Sequence, residues 1–288
     1  MTTTVPKIHS FEEFAGVADA VAKQIVLAQN AALADAEILT NNSNSSSAHI
    51  NSNSNKSSSN LKSKVQKKLE RRFKIAISGG SLIKILSNGL LKRDDIRWDK
   101  WDIFFADERL VPFESPDSNY GSAKREIFDK LEEFGITTPP HVYHIDESLI
   151  EDAQDCADEY EKTLIKNFAS KDSVRLPLFD LFLLGCAPDG HIASIFPQDH
   201  QVLREKLAWC VPVENAPSGP SRRITLTIPV ICHSHRVCFV VEGAVKASIV
   251  KVILERPEKG LPASVVNELA AGRVSWFVDK AALTETYL

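Results

Sequence analysis

Residues 179–197 read FDLFLLGCAPDGHIASIFP, and this stretch decides the fold. From Phe179 to Leu184 the run is apolar except for Asp180, with no alternation of polar and apolar residues. A short run of that kind reads as a strand buried on both faces, the signature of a parallel sheet covered by helices. The run stops at Gly185, and the polar turn Pro188-Asp189-Gly190-His191 follows at once. That turn lies at the carboxyl end of the strand, where open α/β sheets place their ligands. A histidine beside an aspartate at such an edge suits proton transfer, and it would also serve simply to close the turn.

Outward from this stretch, strand-like and helix-like segments alternate. The pattern predicts strands at 73–78, 101–106, 141–145, 179–184, 209–213, 223–228, 236–242 and 274–278. It predicts helices over 81–92, 119–132, 151–169 and 244–255, with a short one at the end of the chain. Near the start, Ser10 and Glu13 read as a capping box, and Phe14, Val17, Ala18, Val21, Ile25 and Val26 recur at helical spacing. The first element is therefore expected to be a helix. The fold class is α/β: a single domain over 1–288 with a mainly parallel sheet and helices on both faces, a modified Rossmann-like arrangement. One segment breaks the pattern. Asn41–Ser59 is almost entirely Asn and Ser, so roughly 40–65 is expected to be a disordered insertion, too polar to offset the entropy of ordering.

Composition narrows the function classes. With 288 residues and 43% hydrophobic content the chain can bury a large core. A formal charge of −4 argues against a general binder of nucleic acid or membrane surface. No stretch has the length and apolarity of a membrane span, nor the pattern of a secretory leader. Five cysteines, mostly in apolar runs, give no disulfide framework, so a soluble, reduced, intracellular protein is expected.

Four strand-end turns carry the chemistry. Ser78-Gly79-Gly80-Ser81 follows the strand KIAI, and such a glycine turn at a helix start is either a phosphate cradle or a purely structural bend. Asp107-Glu108-Arg109 follows the strand WDIFFA; Arg109 suits a phosphate, and Asp107 is either part of the site or half of an ion pair closing the loop. Asn119, at the start of the next helix, is either an N-cap or a substrate contact. Arg222 and Arg223 lie on a strand with one polar face, so they point opposite ways and only one faces a shared site. Lys246 follows Gly243 in a first helical turn, where a cation opposes the helix dipole; a nearby anion or simple solvation accounts for it. Together these turns describe a pocket for a small phosphorylated molecule with acid–base chemistry. The chain has neither a nucleotide fingerprint nor a Gly-x-Ser-x-Gly elbow. Cys232-His233-Ser-His235 with Cys238 looks metal-like, but it lies in and beside a predicted strand whose side chains diverge, so no metal is expected.

The strings SGGS (78–81), DERLVP (107–112), SNYG (118–121), GCAPDGHIASIFP (185–197), RRITLTIP (222–229), GAVKA (243–247) and VSWFVD (274–279) together resemble the 6-phosphogluconolactonase family. The wider superfamily includes glucosamine-6-phosphate deaminase, and Ser194-Ile195-Phe196-Pro197 follows the lactonase pattern. The resemblance implies a cofactor-free and metal-free hydrolase that opens 6-phosphoglucono-δ-lactone in the oxidative pentose phosphate pathway. It implies His191 as the base activating water, oriented by Asp189, with Gly190 in the same turn. It places Ser78, Gly79, Gly80, Ser81, Asp107, Arg109, Asn119, Arg223 and Lys246 around the phosphate and sugar oxygens. The family's Gly-Pro-Asp-Gly-His-Thr differs here at Ala187 and Ile192, where an added Cβ is expected to shift the turn and a hydroxyl beside the base is lost. Asn267-Glu268 also replaces a usual polar-Pro pair. With the Asn/Ser insertion, these departures resemble the fungal Sol-type branch, some of whose members are associated with tRNA nuclear export. That implies a second reading: a weak or inactive paralogue, binding or regulatory, with tRNA or its export machinery as partner and both cytoplasm and nucleus as compartments. Lys62, Lys64, Lys67, Lys68, Arg71 and Arg72 form a basic stretch that suits this reading, or a solvated helix start.

Overall fold

A computed structural model describes residues 6–45, 71–169 and 176–287, with the backbone alone over 35–45. Seven parallel strands form the main sheet: β1 (Lys7–Phe11), β2 (Phe73–Ile77), β3 (Trp101–Phe105), β5 (His141–Tyr143), β6 (Leu181–Leu184), β9 (Val237–Val241) and β10 (Val274–Asp279). Their order is β1-β10-β9-β6-β2-β3-β5. Helices α1 (Phe14–Ser45), α2 (Ser81–Leu90), α3 (Asn119–Glu126), α4 (Ala153–Phe168), α5 (His200–Leu203), α6 (Ile228–His233), α7 (Ala247–Glu255) and α8 (Pro262–Leu269) complete the layers.

The central strands bury both faces, and the period-2 alternation of a strand sorts their side chains into two cores. Ile75, Ile77, Ile103, Phe105, Leu181, Leu183 and Val240 face the α1/α2 side. Ala76, Phe104, Phe182, Leu184, Phe239 and Val241 face the other, against α4, α7 and α8. Each fully buried side chain of this size contributes about 1.5–3 kcal/mol, and the apolar run quoted first supplies both cores at once.

The order has a switch point. From β2 the chain crosses to β3 on one side, whereas β6, paired with β2 on the other side, sits next to β9. The carboxyl ends of β2 and β6 therefore flank the crevice where such sheets bind ligands.

Several expectations change. A strand, β1, precedes the first helix, and Ser10 lies within it rather than capping α1. Its residues are mostly exposed, and it exists through parallel pairing with β10 at the sheet edge, which local periodicity does not encode. The strands near 209–213 and 223–228 are β7 (Cys210–Val213) and β8 (Arg223–Leu226). With β4 (Asp107–Arg109) they form a separate antiparallel sheet, β4-β8-β7, outside the main one. Helix α1 continues through Ser45 and so takes in the first residues of the Asn/Ser tract, because an established helix propagates more readily than one starts. The rest of that tract, with Lys62, Lys64, Lys67 and Lys68, lies outside the described residues. Cys232 and His233 end α6 rather than a strand, and among the described residues no cluster of three His, Cys, Asp or Glu could hold a metal ion. All five cysteines are free and buried. Among the described residues no helix is long and apolar enough to cross a membrane.

Tyr160 of α4 fastens the end of β3. Its buried hydroxyl accepts the Phe105 N–H at 2.8 Å and lies 3.1 Å from the Phe105 carbonyl, beyond the last ladder bond of the strand. Tyr160→Phe leaves that buried N–H without a partner and is expected to lower stability by about 1–3 kcal/mol. Urea unfolding should show an earlier midpoint at unchanged slope.

Candidate active site

Turns that follow the strand ends meet in one cleft of about 240 Å3. Ser78, Gly79, Gly80 and Ser81 line it after β2, Asp107 and Arg109 come from β4, and Gly185, Cys186, Ala187, Pro188, His191 and Ala193 follow β6. Lys246 completes the wall from the turn after β9. Of the residues singled out from sequence, Asp189, Gly190, Asn119 and Arg223 stand outside this lining.

His191 is set by its own turn. The Ala187 N–H donates to the His191 carbonyl at 3.1 Å, and the Gly190 N–H to the Ala187 carbonyl at 2.9 Å. Gly190 has φ +87°, and a Cβ there would also meet Ile249 Cδ1 at 3.1 Å, so only glycine fits. Asp189 Oδ1 lies 2.6 Å from His191 Nδ1 and also accepts the His191 backbone N–H at 3.2 Å. With Nδ1–H directed to the carboxylate, Nε2 keeps its lone pair. The Phe196 ring packs on the imidazole at 4.4 Å between centroids. Burial holds the His191 pKa below the ordinary histidine value, against the opposing pull of Asp189. Burial thus favours the neutral imidazole, the form that can accept a proton.

The departures at 187 and 192 are absorbed. Ala193 is the only described non-glycine residue with positive φ, so Ala187 keeps an ordinary backbone and its Cβ needs no left-handed conformation. Ile192 is packed in the core, with a local bridge to Ile195, and does not line the cleft.

Opposite the histidine, Gly80 is the N-cap of α2 and provides no side-chain cap. The Ile83 N–H is taken by the Gly80 carbonyl at 3.2 Å, while the Gly80 and Ser81 amides keep their donor capacity at the positive end of the helix dipole. Ser78 is turned to another use: its Oγ accepts the Gly185 N–H at 2.9 Å and joins the two strand-end loops. Behind Gly79 sits Asn119, whose Oδ1 would lie 1.7 Å from any Cβ at position 79.

Asn119 is thus not the N-cap, and it stands behind the cleft rather than in its lining. Ser118 is the N-cap of α3, accepting the Gly121 N–H at 3.0 Å. Asn119 is buried and donates from Nδ2 to the Asp107 carbonyl at 2.9 Å. Asp107 is buried as well, and its Oδ2 accepts the Ser194 hydroxyl at 2.7 Å. Arg109 Nε lies 3.9 Å from the same oxygen, beyond hydrogen-bond reach, and is buried with no hydrogen-bond partner. One Nη donates to the Asp117 carbonyl at 3.0 Å. The remaining guanidinium donors can take an anion in the cleft.

Arg222 and Arg223 do point opposite ways. Arg222 pairs with Glu151 at 2.9 Å, outside the site. Arg223 is buried, its Nε donates to the Pro220 carbonyl, another nitrogen to the Ser218 carbonyl, and its guanidinium stacks 5.3 Å from the Phe196 ring. Burial and the neighbouring Arg109 charge lower its pKa, although an arginine stays charged. It supports the wall from behind rather than lining it.

Two residues escaped sequence reasoning. Ser194 is fully buried and links Asp107 to Arg223, whose Nη1 is 3.4 Å from its Oγ. Glu108, also buried, accepts the backbone N–H groups of Arg109, Asn119 and Tyr120 at 2.7–2.8 Å, and burial pushes its pKa up to about 7. It caps α3 from a distant strand. The only available signal was adjacency: Ser194 stands three residues after His191, and Glu108 between Asp107 and Arg109.

The Gly79–Asn119 contact is testable. Gly79→Ala is expected to lower stability by about 1–3 kcal/mol through overpacking, with partial recovery in Gly79→Ala/Asn119→Ala, where the opposing amide is gone. Thermal unfolding of the two variants checks the difference.

Residues 45–276 match the family described as glucosamine-6-phosphate isomerases/6-phosphogluconolactonase. The chain is 60% identical over 309 residues to 6-phosphogluconolactonase-like protein 1 of Saccharomyces cerevisiae, an alignment covering 100% of this chain and 95% of that protein. It is 44% identical over 228 residues to the probable 6-phosphogluconolactonase of Schizosaccharomyces pombe, covering 77% and 87%. Among solved structures, 6-phosphogluconolactonase from Trypanosoma cruzi superposes with a TM-score of 0.71 at 24% identity, covering 100% and 99%, a likeness of fold. By its sequence, the chain belongs to the glucosamine-6-phosphate isomerase/6-phosphogluconolactonase family.

Proposed function

We propose that the protein hydrolyses 6-phospho-D-glucono-1,5-lactone to 6-phosphogluconate with a histidine-activated water. The observation that carries this reading is an imidazole held by Asp189 in the same cleft as Arg109, Lys246 and the uncapped start of α2. The phosphate is assigned to Lys246, Arg109 and the Gly79-Gly80-Ser81 amides, which together offer charge and backbone donors. Fixing that end of the substrate brings the lactone carbonyl to the histidine side of the cleft.

His191 Nε2 then takes a proton from water as the oxygen bonds to the carbonyl carbon. Asp189 stabilises the imidazolium that results. Donors of the cleft hold the oxyanion of the tetrahedral intermediate. When it collapses, the ring carbon–oxygen bond breaks and the imidazolium returns its proton to the departing ring oxygen. Water and lactone are consumed, the acid is formed, and the histidine ends neutral. The retained turn geometry at Ala187 and the inward packing of Ile192 support turnover over a binding role without chemistry.

Lactone hydrolysis by the wild type should exceed the spontaneous rate, and His191→Ala should lower kcat by about 10²–10⁴-fold. A wild type no faster than background, or equal to His191→Ala, would leave a phosphosugar-binding protein in place of an enzyme. A second expectation follows from the lowered histidine pKa. The base form is lost only as pH falls through that value, so the acid limb of kcat/KM should lie below about pH 6.5, the ordinary histidine value. A pH–rate profile of the wild type, corrected for spontaneous hydrolysis, measures it.

A further inference from the structure

A second cleft, of about 350 Å3, opens at the other end of the sheet. The residues that line it come just before or at strand starts: Lys7 of β1, Arg71 before β2, Asp180 before β6, His235 and Arg236 before β9, and Arg273 before β10. Gln24, Ala31 and Ala32 of α1 form its side, and Cys238 lies in its floor. Parallel strands all begin at the same edge, so the topology gathers these distant residues as surely as it gathers those of the candidate active site.

The charge balance is one-sided. Against Lys7, Arg71, Arg236 and Arg273 stands a single lining carboxylate among the described residues, Asp180. That carboxylate is already engaged: Oδ1 accepts from Arg71 Nη2 at 2.5 Å and Oδ2 from the Lys74 N–H at 2.9 Å. Two guanidiniums are held in place by backbone carbonyls, Arg71 by that of Ala32 at 2.9 Å and Arg273 by that of Ser234. Each keeps donors beyond those used, since a guanidinium has five. Among the described residues, neither an ion pair nor a side-chain hydrogen bond engages Lys7 or Arg236. Cations crowded into one concavity repel one another, and an anion relieves that repulsion.

Two sequence features without a part in lactone chemistry end in this cleft. Arg71 belongs to the basic stretch, and His235 and Cys238 to the Cys/His string. Burial pushes the Cys238 thiol up to about 12, so it contributes a neutral wall rather than a thiolate ligand.

We propose that this cleft is a second anion site, taking a compact phosphate-bearing ligand with two or more adjoining phosphates. Lys7 and Arg236 supply mobile charge, and the anchored guanidiniums of Arg71 and Arg273 supply fixed donors. The volume is of small-molecule size. The cations converge on one hollow rather than forming a stripe, and the chain carries −4 overall, which favours a small anion over a polynucleotide.

Calorimetric titration of the full chain with inorganic pyrophosphate at low salt tests the proposal. The wild type should show a site that Lys7→Gln/Arg236→Gln weakens about tenfold or more and that Arg109→Gln leaves intact. The double variant should keep the wild-type unfolding temperature and rate of lactone hydrolysis, and Lys7→Gln alone, at the exposed edge strand, should show a smaller loss of the same sign. Unchanged pyrophosphate affinity in the double variant would overturn the proposal, as would a wild type whose only pyrophosphate site is lost with Arg109. An oligoribonucleotide that binds through Lys7 and Arg236 and is not displaced by pyrophosphate would also overturn it, making the surface a nucleic-acid contact.

Discussion

Between β2 and β6 the strands are hydrogen-bonded to each other, yet the chain leaves them in opposite directions along the sheet. Among the described residues no crossover joins β2 to β6 across the gap above their ends. Two loops fill it, SGGS after one strand and GCAPDGH after the other, and the Ser78 hydroxyl bonded to the Gly185 amide ties them together. Everything proposed for the site depends on this divergence. It leaves backbone amides and one imidazole facing a shared space, while apolar layers on both faces hold the strands rigid beneath.

The small sheet β4-β8-β7 adds the second half of the wall. It is bound to the main sheet at Ala106, whose N–H donates to Ile77 and whose carbonyl accepts the Leu226 N–H, each at 2.8 Å. Asp107 follows directly and enters a buried polar chain through Asn119, Ser194 and Arg223. A half-satisfied network at this depth would be unfavourable; here each of these side chains finds a partner, so the wall is rigid as well as charged. Glu108, with three backbone donors on its carboxyl group, fixes the start of α3 against the same strand. Arg109 differs from its neighbours in keeping one buried nitrogen without a hydrogen-bond partner, and it is the member of the trio that faces the cleft with donors to spare.

Much of this was legible in the sequence, because buried parallel strands announce themselves as unbroken apolar runs and glycine-bearing turns mark their carboxyl ends. His191, Arg109, Lys246 and the SGGS turn line one cleft for that reason. What was not legible depends on pairing across the fold. The exposed strand β1 has no pattern of its own, and its partner β10 lies at the far end of the sequence. Asn119 reads as a helix-start residue, and only the packing of α3 against Gly79 shows that it is a buried spacer. Ser194 reads as one more small residue in GHIAS, since its bond to Asp107 joins residues 87 positions apart. Helices α6 and α8 could have been found from Pro229 and Pro262, each at the start of a short apolar segment.

The five cysteines carry a practical consequence. Burial pushes the thiols of Cys156, Cys186, Cys232 and Cys238 up to about 12 and raises that of Cys210 well above its ordinary value. These buried thiols stay protonated at neutral pH, so electrophiles and oxidants find little thiolate to attack while the chain is folded. Even Cys186, in the wall beside the histidine, is shielded in this way. Alkylation of this protein therefore keeps time with its opening, and the sulfur atoms serve as built-in clocks of conformational breathing.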